Sequence, residues 1–414
     1  MAGRRDHAKL RATRLPPLER RRLAPFPCDI AENTMNPITR FRLLPLLALV
    51  LLVASNAALA QRPPLVVPTD PALVLETLPA GYRGFSTPAL PGEPLLPRIQ
   101  AMLDTAARTG DTRLSTRAQA LLERLPANVA NSPDALRARA FSAQHRHDFD
   151  QARALLGQVL AREPGDGGAL LSRAQVNIVQ GHLNQARSDC AVLALRVDAD
   201  LGIVCTAALQ LRMGDYPSAA RLADRWLSSE GGDPGLTRFV LMMRGDIASR
   251  LAEPDATRWF ERALALDPGD VRTRLAFARH LRRVQQPREA LAMLSTATES
   301  DTVLLQRALA ARESGSTDAA VLSDRLGKRF QLARQTGSAT ELRDEAEYHL
   351  ALRNDTARGL QLALENFRTQ RDREDQELLQ SAARAAKRPN ALVGMTAWAK
   401  TERLRLDAEM EGAR

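Results

Sequence analysis

The feature that most constrains this chain is a small residue that recurs at nearly constant intervals. Six marker alanines are separated by 34, 34, 33, 37 and 34 residues. They are Ala118, Ala152, Ala186, Ala219, Ala256 and Ala290. Self-similarity at a fixed period of this length indicates stacked copies of one small unit, because a single unit cannot bury its apolar face alone.

Residues 255–268 show what the unit contains. Ala256, Phe260 and Ala263 fall at i, i+4 and i+7 on one helix face, and Pro268 cannot continue that helix. This stretch therefore predicts the second helix of a helical hairpin. Most other units also carry apolar residues four and seven positions after the marker, namely Leu122, Leu156, Cys190, Ala223, Leu294, Leu125, Val159, Leu193, Trp226 and Ala297.

The first helix of each hairpin has its own small residue. Twelve positions before the marker stand Ala106, Ala140, Ala174, Ala207 and Ala278. Side chains of this size let the first helix approach the second closely. Gly181 and Gly214 stand five positions before the marker, where the turn between the two helices belongs.

These features together resemble the tetratricopeptide repeat: the period, the small residues, the turn glycines, and Pro164 and Pro268 at unit ends. The resemblance covers roughly residues 99–300. The usual Trp and Tyr of the first helix are missing, and the fourth unit has extra residues around Arg250. The resemblance implies an all-α, right-handed α-solenoid of stacked antiparallel helical hairpins, with an armadillo-like or other helical solenoid as the alternative.

The period weakens in residues 301–414 without vanishing. Ala320, Ala357 and Ala391 continue the series at intervals of 30, 37 and 34 residues. We therefore expect six clear hairpins in residues 98–300, followed by degenerate hairpins that continue the solenoid, since terminal units of a solenoid have one face in water.

Residues 35–60 have the order of a secretory signal peptide. Arg40 and Arg42 form a short basic region, residues 43–53 an apolar core, and residues 58–60 a small-x-small cleavage site. This pattern predicts export to the periplasm with cleavage before Gln61. A membrane anchor is the alternative, but the apolar run is shorter than the ~18 residues that a span needs.

Residues 1–34 are rich in Arg and Pro and end before a second methionine, Met35. We interpret them as an artefact of start assignment, with a genuine basic extension as the alternative. Residues 1–60 carry ten Lys/Arg and four Asp/Glu, so only +4 of the chain's +10 belongs to the remainder. This modest charge gives no support to a nucleic-acid-binding function.

Residues 61–97 contain nine prolines, which forbid a continuous helix. The segment also carries apolar residues such as Tyr82 and Phe85. We expect an extended strap that lies on the first hairpins; a flexible tether to another protein is the alternative.

The sequence contains no Walker loop, no dinucleotide-binding glycine motif, no His-Glu-x-x-His and no nucleophile elbow. Residues 145–148, His-Arg-His-Asp, are the densest cluster of metal-ligand types. Their place between the two helices of a unit favours a polar turn over a metal site. We therefore expect no catalytic residue, no cofactor and no metal.

Cys190 and Cys205 are the two cysteines after the predicted cleavage site. Cys190 falls midway along the second helix of one unit, and Cys205 near the start of the first helix of the next. An oxidising periplasm makes them a candidate disulfide, and two separate buried thiols are the alternative.

Three arginines point to a binding surface. First helices of such hairpins line the concave side of the solenoid. Along the helix predicted near residues 271–283, Arg272, Arg279 and Arg283 fall within about 20° of one direction. Three guanidinium groups on one strip favour an acidic ligand, because each binds a carboxylate in a bidentate way. Solvated arginines paired with acidic residues of the adjacent unit are the alternative.

The family resemblance implies protein–protein interaction, although fold alone does not identify a function. The sequence therefore suggests a periplasmic, non-catalytic scaffold that binds protein or peptide partners, acidic ones at the arginine strip. Other possibilities are an accessory of envelope assembly or polysaccharide export, a peptidoglycan-directed enzyme, and a chaperone or inhibitor of exported proteins.

Overall fold

Helices joined by turns form the parts of the chain that the computed structural model describes, residues 94–229, 232–335 and 341–404. All of them belong to one compact unit. The predicted basic extension (1–34), the signal peptide (35–60) and residues 61–93 of the predicted strap lie outside the described residues, so these predictions remain expectations. The predicted end of the strap at residue 97 is wrong, because residues 95–97 already belong to the first helix, in whose first turn Pro97 is tolerated.

The described helices, in chain order, are α1 (Leu95–Thr109), α2 (Thr112–Leu122), α3 (Ala127–Ala130), α4 (Pro133–His145), α5 (Phe149–Arg162), α6 (Gly167–Gln180), α7 (Leu183–Val192), α8 (Ala199–Met213), α9 (Tyr216–Leu227), α10 (Pro234–Arg250), α11 (Ala256–Leu266), α12 (Val271–Arg283), α13 (Pro287–Leu294), α14 (Asp301–Glu313), α15 (Ala319–Gln335), α16 (Leu342–Glu347), α17 (Thr356–Asn366), α18 (Arg373–Ala385) and α19 (Val393–Thr401). Leu193–Val197 and Tyr348–Leu352 are π-helical turns, and Pro389–Leu392 is a 3₁₀ turn.

The predicted hairpins are present. Six pairs of adjacent helices contain the six marker alanines in their second members: α1/α2, α4/α5, α6/α7, α8/α9, α10/α11 and α12/α13. All six markers are buried, at 0–1% exposure. Two further pairs follow, α14/α15 and α16/α17. The prediction of an all-α solenoid of stacked antiparallel helical hairpins is therefore confirmed.

Phe260 shows how one hairpin packs against the next. Its ring is fully buried and stacks on Phe277 of the following unit, with centroids 5.2 Å apart. Within the hairpin, a Cβ atom added to Gly245 of α10 would lie 2.9 Å from the Phe260 ring. The absence of a side chain at Gly245 therefore lets α10 approach the aromatic residue of α11.

The predicted turn glycines have the expected left-handed backbone. Gly181 ends α6 with φ of +76°, and Gly214 ends α8 with φ of +81°. At the same repeat position His147 and Gln285 adopt φ of +59° and +61°. The left-handed turn is thus repeated even in units that have no glycine at this position to indicate it.

The extra residues predicted around Arg250 lengthen α10, the first helix of the fifth hairpin, which has 17 residues. At the position twelve before the marker it carries Arg244 instead of alanine, and this arginine is 7% exposed. Its guanidinium pairs with Asp224 at 2.8 Å and with Glu253 at 2.6 Å. These two carboxylates compensate for placing a charged residue at a site that is small and apolar elsewhere.

The end of the described chain returns to the first half of the solenoid, a contact that the repeat period does not predict. The Trp398 indole N–H donates to the Gly181 carbonyl at 2.9 Å, and the Arg371 backbone N–H donates to the Val179 carbonyl at 2.7 Å. Ala399 and Leu404 join a small core whose other members are Ile178, Leu183, Ala186 and Leu209. α18 and α19 are therefore anchored on α6 to α8.

Cys190 of α7 and Cys205 of α8 are joined by a disulfide, with their Cα atoms 5.4 Å apart. Both are nearly inaccessible to water, at 2% and 1% exposure. Close beside them α8 carries Gly202, where a Cβ atom would lie 2.4 Å from Ala194. The bond thus connects the third hairpin to the fourth at a point of close approach. Its formation in the cell stays a prediction.

We expect the change of both cysteines to alanine to lower the free energy of unfolding by about 3 kcal/mol, because the bond closes a loop of about 15 residues in the unfolded chain. A reductant should destabilise the wild-type protein by a similar amount in urea denaturation. The same reductant should leave the double-alanine variant unchanged. Two free thiols in non-reducing peptide mapping of the protein purified under oxidising conditions would contradict this prediction.

Candidate binding cavity on the concave face

The first helices of four consecutive hairpins surround a cavity of about 580 Å³. α6, α8, α10 and α12 form one side, and the second helices of these hairpins contribute no lining residue. α16, the turn Tyr348–Leu352 and α18 form the opposite side. The cavity is therefore a part of the concave face that the returning helices cover.

Arg272, Arg279 and Arg283 all line this cavity. The Arg272 side chain is 54% exposed, and its Nε lies 3.9 Å from Oδ1 of Asp270. Arg283 donates a hydrogen bond to the Ser249 hydroxyl. The guanidinium of Arg279 makes no hydrogen bond or ion pair with any residue in the described part of the chain. The structure thus places the three predicted arginines on one wall of the cavity, with guanidinium N–H groups that have no acceptor among the described residues.

Their neighbour Arg282 behaves differently. It makes two hydrogen bonds to Glu313 of the next hairpin, at 2.6 and 2.9 Å. This is the pairing across adjacent units that the alternative interpretation expected for the whole strip. Among these four arginines, only Arg282 pairs with an acidic residue of the adjacent unit. The binding role of the other three stays a proposal.

Two further arginines of the concave face were missed by the sequence analysis. Arg212 of α8 pairs with Glu374, and Arg250 of α10 pairs with Glu377 at 2.7 Å and with Glu374 at 3.5 Å. Arg250 also pairs with Asp246 at 3.1 Å. Glu374 and Glu377 are distant in sequence and both belong to α18. This helix therefore binds the concave face of the same chain through its carboxylates.

A sequence signal for these residues did exist. Arg212 and Arg283 lie seven positions before their marker alanines, and Arg250 lies six before its own. Counted from the left-handed turn residue that follows each first helix, Gly214, Ala252 or Gln285, all three arginines lie two positions earlier, so they form one column when the units are aligned on that turn. The column gives no hint of α18, since its carboxylates come from outside the regular repeats.

Electrostatics keep this cluster ionised. Burial alone would raise the pKa of Glu374, but the charges of Arg212, Arg250 and Arg343 outweigh it and hold that pKa well below its usual range. Burial would lower the pKa of Arg250, but Asp246, Glu374 and Glu377 reverse the effect and raise it. The ion pairs therefore stay charged across the physiological pH range.

A second charged contact fixes the start of α18. The Arg343 guanidinium of α16 lies 3.1 Å from Asp375 and 3.7 Å from Asp372. Asp372 and Asp375 cap the helix reciprocally, each side chain accepting from the backbone N–H of the other. The wall opposite the arginines is thus held by side-chain and backbone hydrogen bonds.

The remainder of the lining is mixed. Phe239, Met242 and Leu275 form an apolar patch next to the arginines, and Leu350 and Leu378 face it from the covering helices. Glu347 also lines the cavity, and no described residue forms an ion pair with it. The lining as a whole holds six arginines and five carboxylates, so the cavity carries a small positive excess that lies on the α12 wall.

His145, Arg146, His147 and Asp148 form the turn between α4 and α5. The Asp148 side chain accepts a hydrogen bond from the Gln151 backbone at 3.3 Å and caps α5, and His147 pairs with Glu341. The described residues contain no cluster of three or more His, Cys, Asp or Glu side chains placed to hold a metal ion. None of the helices in the described ranges is long and apolar enough to cross a membrane.

Comparison with known proteins places the repeats in context. No protein-family profile matches the chain. The protein named cellulose synthase operon protein C from Escherichia coli K12 is 28% identical over 170 residues, 40% of this chain and 14% of that protein. Its namesake from Salmonella typhimurium is 30% identical over 190 residues, 45% of this chain and 15% of the relative. The chain thus spans about a seventh of the length of these curated relatives.

The chain is a tetratricopeptide-like solenoid. This conclusion rests on the observed hairpins and their 34-residue spacing. Similar solved structures include a tetratricopeptide repeat protein from Parabacteroides merdae, with 16% identity, a TM-score of 0.38, and coverage of 61% of this chain and 98% of that one. The APC/C hetero-tetramer Cut9–Hcn1 has 13% identity, a TM-score of 0.49, and coverage of 77% and 62%.

His280 lies behind the arginine wall and is 5% exposed. Its Nδ1 is 2.8 Å from the Ser249 hydroxyl, and its Nε2 is 3.2 Å from the Thr257 hydroxyl. The Ser249 oxygen accepts a hydrogen bond from Arg283, so the Ser249 O–H can donate to Nδ1 of His280. This arrangement favours the neutral ring that carries its proton on Nε2. Burial and then the charge of Arg283 lower the pKa of His280, against a smaller opposite effect of Asp246.

This lowered pKa predicts a pH dependence of stability. The unfolded chain protonates His280 near its ordinary pKa of about 6.5, whereas the folded protein resists protonation until lower pH. The stabilising contribution is therefore complete above about pH 6.5 and is lost as the pH falls toward the lowered pKa. We expect the melting temperature to drop between pH 7 and pH 5.5, and less steeply in His280→Gln. Equal slopes in the two proteins would contradict the assignment.

Proposed function

We propose that this chain is an exported, non-catalytic scaffold of the periplasm whose concave cavity binds an acidic segment of a protein partner. One observation carries the proposal: Arg272, Arg279 and Arg283 share one wall of the cavity and have hydrogen-bond donors that no described carboxylate engages closely. The residue pattern of positions 35–60 supports export.

The chain's own α18 supports an acidic ligand. Glu374 and Glu377 bind the concave arginines of α8 and α10, the first helices of the two hairpins that precede α12. The arginines of α12 extend the same concave surface beyond the reach of these carboxylates. A partner with carboxylates would therefore make with α12 the kind of contact that α18 makes with its neighbours.

The charge of the wall also favours a protein over a neutral sugar chain as the ligand. A neutral glucan offers hydroxyl groups but no charge to a guanidinium. Charge-assisted hydrogen bonds are roughly twice as strong as those between neutral groups. The arginine wall is therefore better matched to Asp and Glu side chains.

The name of the sequence relatives favours one setting for such a scaffold. They are called products of a cellulose synthase operon. We accordingly propose that this chain serves as an accessory of polysaccharide synthesis or export and holds protein components of that machinery. It would do so as a binding surface, without a reaction of its own.

The proposal predicts that partner capture depends on the wall. The triple variant Arg272→Glu, Arg279→Glu and Arg283→Glu should retain at most a tenth of the partner that the wild-type chain captures from periplasmic extract, because repulsion replaces three attractive contacts. Quantitative mass spectrometry of the captured proteins measures this change. Circular dichroism and the melting temperature should stay nearly unchanged, since the three side chains contribute little to the core.

A matched control is available on the second helices. Arg221, Arg225 and Arg288 are exposed on α9 and α13, which do not line the cavity. Changing these three to Glu alters the net charge by the same amount and should leave capture at the wild-type level. Capture that survives the wall variant, or that both triple variants lose equally, would refute the proposed site.

A further inference from the structure

Glu347 differs from the other four carboxylates that line the cavity. Those four pair with arginines of the same lining: Asp246, Glu374 and Glu377 with Arg250, and Asp372 with Arg343. The Glu347 side chain makes no hydrogen bond or ion pair with any residue in the described ranges. The covering side of the cavity therefore presents one carboxylate whose charge the rest of the lining does not engage.

The cation nearest to Glu347 along its own helix is not available to it. Arg343 and Glu347 are one helical turn apart on α16, and both line the cavity. The Arg343 guanidinium is instead held by α18, at 3.1 Å from Asp375 and 3.7 Å from Asp372. Glu347 is also the last residue of α16, directly before the π-helical turn Tyr348–Leu352. Single π-helical turns are frequent at functional sites.

The other acidic residues of α16 fix the helix in place. Asp344 is buried and accepts a hydrogen bond from the Thr302 hydroxyl of α14 at 2.6 Å. Glu345 is also buried and pairs with Arg334 of α15. These contacts hold α16 without any contribution from Glu347. A change of Glu347 should therefore alter the charge of the cavity and leave the position of the helix unchanged.

The ion pairs within the lining leave two unpaired sets of charge on opposite sides of the cavity. On α12, the arginines 272, 279 and 283 have no described carboxylate closer than the 3.9 Å between Arg272 and Asp270. On α16, Glu347 has no described cation. A ligand that carries only carboxylates would satisfy α12 but would place like charge in the cavity with Glu347, which costs binding free energy. A ligand of mixed charge can satisfy both sides.

We infer that Glu347 selects a partner segment that carries a basic residue, Lys or Arg, in addition to the acidic residues bound by the α12 wall. The inference rests on the proposed binding of an acidic segment at this wall, and it adds the charge pattern that the segment must have. Glu347 attracts a segment of mixed charge and repels a purely acidic one. Specificity of this kind arises from the attractive and the repulsive contribution together.

Two arrays of synthetic eight-residue peptides test the inference with the full chain. Each array contains all arrangements of three Glu residues and one test residue among Gly and Ala, so that no spacing or conformation is assumed. The test residue is Lys in the first array and norleucine in the second. Norleucine keeps an unbranched aliphatic side chain and removes the charge. The strongest Lys peptide and its norleucine counterpart are then compared by isothermal titration calorimetry.

Four variants are compared with the wild type. Glu347→Gln removes the charge at nearly constant size, and Glu347→Lys reverses it. Glu365→Gln is the matched control, because Glu365 is exposed on α17, which does not line the cavity. The fourth is the triple wall variant Arg272→Glu, Arg279→Glu and Arg283→Glu. Circular dichroism and the melting temperature of the Glu347 and Glu365 variants should stay close to those of the wild type.

We expect the Lys peptide to bind the wild type at least about five-fold more tightly than its norleucine counterpart. Glu347→Gln should abolish this preference, because the Lys peptide loses an attraction and the norleucine peptide loses a repulsion. Glu347→Lys should reverse it, and Glu365→Gln should retain it. The triple wall variant should bind neither peptide.

Two groups of results separate the inference from the proposed function. Equal binding of the two peptides to the wild type, or a preference for Lys that persists in Glu347→Gln, would overturn the role of Glu347. If that binding still depends on the α12 wall, the proposed function stands. Absence of binding to every peptide of both arrays, or binding that the triple wall variant retains, would overturn the proposed function and the inference with it.

Discussion

The interaction on which the arrangement of the cavity depends is the set of ion pairs between Arg250 and the carboxylates of Asp246, Glu374 and Glu377. A guanidinium at 8% exposure has lost most of its contact with water, so it requires carboxylate partners. Two of those partners are more than 120 residues away in sequence. The need to compensate one buried charge therefore holds α18 against the concave face and gives the cavity its second wall.

The repeat and this closure have different roles. Stacked hairpins built on buried alanines place the ends of α8, α10 and α12 side by side, which brings Arg212, Arg250 and Arg283 into one column. α18 engages the first two and leaves the third with its neighbours on α12. A regular array of one residue type is thereby divided into a part that stabilises the fold and a part that is available to a partner.

Much of the fold was predictable because its cause is local and repeated. The positions of Ala256 and Phe260 within one helix, and of Gly181 after another, follow from side-chain size and backbone freedom. The turns at His147 and Gln285 were harder to predict, since neither residue type signals a left-handed conformation. Helical geometry also sufficed to place Arg272, Arg279 and Arg283 on one face.

The closure by α18 could not be predicted in this way. Hydrophobic periodicity reports which face of a helix is buried, and it carries no information on which distant element covers that face. The pairing of Arg212 with Glu374 spans 162 residues and occurs once, so no repeat reveals it. Gly181 illustrates the limit: its turn was predicted, but its second role, close contact with Trp398, was not.

The most direct test of this account is a double-mutant cycle between Arg250 of α10 and Glu377 of α18, with the free energies of unfolding measured in urea for the wild type, both single alanine variants and the double variant. The account predicts a favourable coupling of about 1 kcal/mol or more, within the ~0.5–3 kcal/mol typical of contacting residues. A coupling energy indistinguishable from zero would show that α18 does not bind the concave arginines, and would contradict the closed cavity on which the proposed function rests.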